Sequence, residues 1–224
     1  MFYLFLLAHL VADFALQPLW LVRRKQHWDG LLIHVGMVLL CMLALIPLEP
    51  QVSELWPAML IITAIHLAAD RWKVRSADRW LRPPLLPFLL DQLIHLATLV
   101  LVLSLFLPAA QVWSLHASVL TVPALYVAAY ICAALAIPIG LIVAYDPSFR
   151  HATLAAAART RSLLAASSVL SLALFAGPLA LPLTLAGYLA VAERPASAHP
   201  LDRPRGMLAV IALAAFLGAG LALL

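Results

Sequence analysis

Residues 56–74 read WPAMLIITAIHLAADRWKV and place His66 and Asp70 inside a strongly apolar run. Their spacing of four residues puts both side chains on one face of an α-helix, one turn apart. The same two residue types recur at the same spacing in two other apolar runs, as His9 with Asp13 and as Asp91 with His95. Ionisable side chains are expensive to place inside a membrane and usually mark functional sites there. The three pairs are therefore the first indication of function.

The composition is that of an integral membrane protein. Of 224 residues, 65% are hydrophobic and only 11% are charged, with a mean hydropathy of +1.03; about 25% of a soluble domain is charged. The net charge of +4 could suggest nucleic-acid binding. We exclude nucleic acid as a partner because the basic residues lie in short loops between apolar runs, as topology signals do. Cys41 and Cys132 lie within such runs and form no redox or metal motif.

The pattern of apolar runs predicts an all-α, polytopic membrane bundle of about eight transmembrane helices. The runs are 2–22, 28–47, 57–74, 85–108, 119–145, 161–176, 179–192 and 206–224. Arginine and lysine concentrate in the loops after the odd-numbered runs, which predicts cytoplasmic basic loops and both termini outside. Merging the sixth and seventh runs at Gly177 and Pro178 would move the last arginine-rich loop outside, so we expect them to be separate.

The two halves of the chain differ in chemistry. Residues 1–108 form a predicted four-helix membrane core that contains all the intramembrane histidine and aspartate. Residues 119–224 form a predicted four-helix appendage, rich in Ala, Leu, Gly and Ser, with almost no ionisable residue away from the ends of its runs. Small residues of this kind let helices pack closely in a membrane.

The polar residues of the first four runs lie at similar depth. Counted from the cytoplasmic ends, they fall in a layer roughly 5–20 Å below the interface, at ~1.5 Å per residue. Imidazole nitrogen and carboxylate oxygen without thiolate suit Zn²⁺, with Mn²⁺ and Fe²⁺ as alternatives. Seven candidate ligands are more than one tetrahedral ion can take. Either some of them orient the histidines that bind the ion, or two metal ions bind. The alternative to a metal site is a network of hydrogen bonds between the helices. The candidate metal ligands are His9, Asp13, His34, His66, Asp70, Asp91 and His95.

Four further polar residues flank this layer. Lys25 and Lys73 are the chain's only lysines and lie near the predicted cytoplasmic mouth. They either reach to the membrane interface or receive an anionic group such as a lipid phosphate. Gln17 and Gln92 either complete the hydrogen-bond network or contact the substrate.

These residues, in this order, resemble a known family. The order is His9-x3-Asp13-Phe14-x2-Gln17, Lys25, His34, His66-x3-Asp70-x2-Lys73 and Asp91-Gln92-x2-His95. It is similar to a bacterial membrane family described as domain of unknown function 3307, over residues 3–105, with the last four runs outside the resemblance. The family implies a protein of the bacterial inner membrane and brings no established activity.

Our first hypothesis is a metal-dependent hydrolase that acts on a lipid or lipid-linked substrate from the cytoplasmic leaflet. An ion bound by His34, His66, Asp70 and His95 would activate water. Asp13 or Asp91 would act as general base, and Lys73, with Lys25, would position an anionic head group; Asp13, Asp91 and Lys73 are the predicted catalytic residues. A metal-ion or proton transporter is the second hypothesis, and a non-enzymatic, metal-stabilised sensor or assembly partner is the third.

Overall fold

A computed structural model describes residues 1–77, 80–145, 156–177, 182 and 199–223. Every regular element within these residues is helical, as the sequence predicts. The chain divides into two compact units, Met1–Ala128 and Ala129–Leu224.

Ten α-helices lie within the described residues, and short π or 3-10 turns extend several of them. The helices are α1 (Phe2–Leu10), α2 (Leu19–Arg24), α3 (Trp28–Leu43), α4 (Trp56–Trp72), α5 (Leu85–Phe106), α6 (Ala109–Trp113), α7 (Thr121–Ile131), α8 (Ile137–Tyr145), α9 (Ala156–Phe175) and α10 (Pro204–Leu221). The π turns are Val11–Ala15, Lys73–Ala77 and Cys132–Ala136, and the 3-10 turns are Pro50–Leu55 and Pro200–Asp202.

Four helices of the first unit form a closed bundle. Helix α1 packs against α3 and α5, and α4 packs against the same two helices. Phe5, Val38, Met59 and Leu103, one from each of the four helices, are buried in its core. Many outward positions are leucine, such as Leu101, which suits a surface that faces lipid.

The polar residues lie at one end of this bundle. His9 and the π turn that carries Asp13 follow the course of α1 to its C-terminal end, and His66 and Asp70 lie in the last two turns of α4. The other helices contribute from their N-terminal halves: His34 from α3, and Asp91 and His95 from α5. The segments 16–27 and 73–77, which carry Arg23, Arg24 and Arg75, follow the helix ends at this side of the bundle.

The first apolar run is not a single helix. We expected a span over 2–22, but α1 and its π turn end at Ala15 and a separate helix, α2, begins at Leu19. The cause is Pro18, which lies in extended conformation at φ −67° and ψ 157°. Proline cannot donate a helical hydrogen bond and disfavours helix in the residue before it.

Four helical segments are long and apolar enough to cross a membrane: Pro50–Ala77, Leu85–Phe106, Thr121–Tyr145 and Pro204–Leu221. Two more, Phe2–Ala15 and Trp28–Leu43, are apolar but shorter. The part of the chain that the structure describes is thus all-helical, and these segments indicate that the protein associates with a membrane. The predicted run 161–176 is part of α9, whereas the run 179–192 lies outside the described residues apart from Pro182.

The second unit packs through small residues. Helices α9 and α10 lie against each other, and a Cβ at Gly218 of α10 would overlap the side chain of Ala173 on α9. Close approach at glycine is the usual way for membrane helices to associate. The Arg161 guanidinium donates hydrogen bonds at 3.2 and 2.7 Å to the two carboxylate oxygens of Asp202, which ties α9 to the start of α10.

Candidate metal centre

A π turn sets the position of Asp13. Within Val11–Ala15 the helix widens, and the Leu16 amide donates to the Val11 carbonyl at 2.9 Å, five residues back. Single π turns inside helices change the direction of the side chains that follow and are frequent at functional sites. Here the turn leaves Asp13 buried, with its carboxylate between the histidines of three other helices.

Four potential metal-ligand atoms lie close together, and one of them belongs to Asp13. His34 Nε2 lies 3.0 Å from His66 Nε2, 3.3 Å from Asp13 Oδ1 and 3.4 Å from Asp70 Oδ2. His66 Nε2 lies 3.7 Å from Asp13 Oδ1 and 3.6 Å from Asp70 Oδ2. All four residues are buried, so these atoms face one another away from solvent. We call Asp13 Oδ1, His34 Nε2, His66 Nε2 and Asp70 Oδ2 the first group.

The spacing of the first group matches a tetrahedral ion. Around such an ion, with ligand distances of about 2.0–2.1 Å, neighbouring ligand atoms stand about 3.3–3.4 Å apart. Five of the six distances within the group, at 3.0–3.7 Å, bracket that value. Hydrogen bonds alone serve this arrangement poorly, since each Nε2 carries at most one proton and faces three neighbours. Asp13 Oδ1 makes no hydrogen bond of good geometry among the described residues. The first group therefore fits Zn²⁺ or a similar divalent ion.

Lys25 reaches the first group from the loop between α2 and α3. Its Nζ lies 2.6 Å from Asp70 Oδ2, and the lysine side chain is 10% exposed. A buried lysine of this kind competes with an ion for the carboxylate oxygen. Lys25 does not compete for the other three ligand atoms, which come from Asp13, His34 and His66. These three would hold the ion, and its fourth position, beside Asp70, would stay open. Catalytic zinc sites have this form, with three protein ligands and one exchangeable position.

Gln17 holds both Lys25 and His34. The amide is satisfied when its nitrogen donates to the Asp13 carbonyl at 3.0 Å and its oxygen accepts from Lys25 Nζ at 2.8 Å. The terminal atom that faces Lys25 also lies 3.3 Å from His34 Nδ1. With oxygen in that place, His34 Nδ1 carries the proton and donates it, which leaves the Nε2 lone pair directed at the first group. Metal-bound histidines are usually fixed in this way.

The remaining predicted ligands lie on the other side of Asp13. Asp13 Oδ2 is 3.7 Å from His9 Nε2 and 4.0 Å from His95 Nδ1. His95 Nδ1 is 3.9 Å from Asp91 Oδ1. The His66 and His95 rings stack with centroids 4.0 Å apart, which joins the two sides.

Asp91 has its own lysine. Lys73 Nζ lies 2.8 Å from Asp91 Oδ2, which also accepts from Gln92 Nε2 at 3.2 Å. The structure thus brings together all seven predicted ligands and places the four flanking residues beside them. Lys25 and Lys73 each form an ion pair with a carboxylate of the cluster, and Gln17 and Gln92 complete its hydrogen bonds.

One sequence profile identifies the chain. The profile described as "Protein of unknown function (DUF3307)" matches residues 1–137, which is more than half of the 224 residues. The chain belongs to this family. No curated protein and no solved structure matches it.

The DUF3307 match is longer than the resemblance in the sequence indicates. It extends beyond residue 105 to residue 137, so the family includes α7 and the π turn after it, and our expectation that the fifth run lies outside was wrong. Every residue of the candidate centre lies within the matched region. The candidate centre and the four-helix bundle that holds it therefore belong to the family part of the chain.

Proposed function

We propose that this DUF3307 protein is a metal-dependent hydrolase of the bacterial inner membrane that acts on a lipid or lipid-linked ester from the cytoplasmic leaflet. The observation that carries the proposal is the convergence of Asp13 Oδ1, His34 Nε2 and His66 Nε2, at 3.0–3.7 Å from one another, with Asp70 beside them. Zn²⁺ is the ion that this set of nitrogen and oxygen ligands suits best, with Mn²⁺ and Fe²⁺ as alternatives.

The ion would supply a water with a pKa lowered to about 7. Asp70 is the general base in this proposal, because its carboxylate borders the open position and Lys25 orients it at 2.6 Å. Asp70 takes one proton as the water oxygen bonds to the ester carbon or phosphorus. The bond to the leaving oxygen breaks, and Asp70 returns the proton to that oxygen. One water is consumed for each ester bond cleaved.

The setting of the centre supports a lipid substrate. Three of the four helices that hold it, α3, α4 and α5, present exposed leucines outward, so an acyl chain could remain in the bilayer while its head group reaches the bundle. Lys73, whose side chain is 21% exposed, is the most accessible charged group beside the cluster. We propose that it guides an anionic head group inward, as an ammonium near the membrane surface attracts lipid phosphate.

We also propose the orientation and the number of crossings. Arg23, Arg24 and Arg75 follow the helix ends that hold the centre, and the excess of basic residues there supports a cytoplasmic position for this end of the bundle. Eight crossings with both termini outside then require α1 and α3 to cross a locally thinned bilayer, as short helices do at modest cost. Labelling of single cysteines placed at Ser53 and Ser76 tests this, with Ser53 expected to react from outside and Ser76 only after permeabilisation.

The central test combines elemental analysis with turnover. We expect the purified full-length protein to contain at least one divalent ion per chain and to hydrolyse one class in a panel of lipid esters. His66→Ala should lose the ion and the activity. Asp70→Asn should keep the ion and lose at least about a hundredfold in turnover, as removal of a general base does.

His116→Ala is the matched control, because His116 is an exposed histidine outside the cluster, and it should keep both ion and activity. Metal-free protein with full activity would contradict the proposal. Movement of the ion across liposome membranes without hydrolysis would favour the transporter. Metal-dependent stability with no turnover on any lipid class would favour the structural alternative.

A further inference from the structure

A second set of donor atoms lies beside the first group. It consists of His9 Nε2, His95 Nδ1, Asp13 Oδ2 and Asp91 Oδ1, all from buried residues. The Asp13 oxygen is 3.7 Å from His9 Nε2 and 4.0 Å from His95 Nδ1, and Asp91 Oδ1 is 3.9 Å from His95 Nδ1. We call these four atoms the second group.

Two of the four atoms of the second group have no hydrogen-bond partner among the described residues. His95 is 2% exposed, yet neither of its ring nitrogens makes a hydrogen bond among the described residues, and Asp91 Oδ1 makes none either. Buried polar atoms are nearly always paired, since leaving one unpaired costs on the order of 1–3 kcal/mol. Stacking on His66 orients the His95 ring, whose Nδ1 lies 3.9 Å from Asp91 Oδ1 and 4.0 Å from Asp13 Oδ2. A cation bound there would satisfy them.

The two groups are built alike around one carboxylate. Each has two histidines, one oxygen of Asp13, and a second aspartate that is paired with a lysine: Asp70 with Lys25, and Asp91 with Lys73. We infer that the second group is a second divalent-cation site, that Asp13 bridges the two ions, and that together they bind the phosphate of a phosphate monoester. The inference rests on the proposed function, because the first group must hold the first ion.

The charge of the cluster indicates the ligand. Asp13, Asp70 and Asp91 contribute three negative charges, and Lys25 and Lys73 contribute two positive ones, so the net charge is one negative. Two divalent ions change it to three positive, which a buried site cannot keep without anions. A phosphate dianion and a hydroxide restore neutrality. Paired ions that share a carboxylate are a recurrent arrangement in phosphatases.

The second group is more loosely built than the first. Its three distances of 3.7–4.0 Å exceed the spacing around a tetrahedral ion by about 0.3–0.7 Å. The side chains must therefore draw together when an ion binds, and we expect the second ion to bind more weakly and after the first. Phosphate should strengthen its binding by at least about fivefold, a typical coupling between two ligands.

The experiment is a Mn²⁺ titration of the full chain in detergent, after any bound metal has been removed with a chelator. Equilibrium dialysis counts the bound Mn²⁺, and electron paramagnetic resonance records its spectrum. We expect two Mn²⁺ per chain with an exchange-coupled spectrum. His95→Gln and Asp91→Asn should bind one Mn²⁺ and give an uncoupled spectrum, while His116→Ala should match wild type. The wild-type stoichiometry decides the question even if a variant fails to fold.

Two additions identify the anion. Inorganic phosphate, and vesicles of phosphatidic acid with phosphatidylcholine vesicles as control, are each added to the wild-type titration. A larger effect of phosphatidic acid assigns the site to a lipid head group, and an equal effect assigns it to the free anion. If two Mn²⁺ bind and neither inorganic phosphate nor phosphatidic acid changes their affinity, the inference that the two ions bind a phosphate monoester is overturned.

The remaining outcomes separate this inference from the proposed function. Saturation at one Mn²⁺, with or without phosphate, overturns the second site and leaves the first group intact. No bound Mn²⁺, Zn²⁺ or Fe²⁺ overturns both.

Discussion

Lys25 is the residue on which the charge of the first group depends. It lies 2.6 Å from a carboxylate oxygen of Asp70, and both side chains are almost fully buried. Nothing in the spacing of the sequence indicates this pair, because 45 positions separate the two residues. Only the turn at Pro18 and the short helix α2 bring the lysine back to the bundle.

Lys25→Met should therefore destabilise the metal-free protein. It leaves the Asp70 carboxylate buried without its ammonium, which typically costs about 3–5 kcal/mol. A bound ion replaces the missing charge, so added Zn²⁺ should recover most of the lost thermal stability. Thermal denaturation in detergent, with chelator and with Zn²⁺, measures both effects. Arg24→Met is the control, because the Arg24–Asp29 pair is exposed and contributes little; an equal loss in the two variants would contradict the prediction.

Gln17 provides a second test at the same scale. Its amide oxygen accepts from Lys25, and the same atom faces His34 Nδ1. Gln17→Leu removes the group that fixes the imidazole and should weaken metal affinity about 10- to 100-fold, as loss of such outer partners usually does. Gln17→Glu keeps an acceptor and should lose much less. Competition with a fluorescent chelator gives both affinities, and Gln111→Leu, on an exposed residue outside the cluster, is the control.

At the residue scale, the sequence predicts which side chains share a helix face and leaves their pairing open. The spacing of four places His66 beside Asp70, and the structure has His66 Nε2 3.6 Å from Asp70 Oδ2. The spacing does not reveal that the two oxygens of Asp13 face different histidines, because that depends on the π turn and on the packing of three other helices. Long-range geometry of this kind has no local pattern in the sequence.

At the scale of elements, the corner between α2 and α3 determines where His34 lies. Gly30, in the first turn of α3, lies against the backbone of Arg24, and a Cβ there would overlap the Arg24 carbonyl. The apolar pattern of 28–47 predicts a helix at this place, and α3 covers Trp28–Leu43. That pattern does not predict the contact with α2. Gln17 followed by Pro18 predicts only that the first helix ends before α2 begins.

Gly30→Ala should open this corner and lower metal affinity. The added methyl displaces α2 from α3, and His34 follows one turn later on the same helix. Gly36→Ala is the matched control on α3, because a Cβ there meets nothing within 4 Å, and it should stabilise the helix by up to about 1 kcal/mol. Chelator competition and thermal denaturation separate the two variants. Equal metal affinity in both would show that the corner does not position His34.

At the scale of the whole molecule, the described cluster lies entirely in the first unit. Its residues extend from His9 to His95, the unit ends at Ala128, and the family profile ends at residue 137. Composition alone indicates this division, since the second half has almost no ionisable residue within its apolar runs. Composition does not indicate where the family part ends, because the apolar run 119–145 continues past both Ala128, where the first unit ends, and residue 137, where the family profile ends.

A fragment of residues 1–145 should therefore bind metal as the full chain does. It keeps the four-helix bundle, the core around Phe5 and Leu103, and the whole of the helical segment Thr121–Tyr145, so that no helix is cut. Metal per chain, measured after purification in the same detergent, should equal that of the full chain. The same fragment with His66→Ala should bind none, which controls for adventitious metal. A fragment that remains helical and monodisperse but binds no ion would show that residues beyond 145 take part in the centre, and the assignment of the site to the family part of the chain would then be wrong.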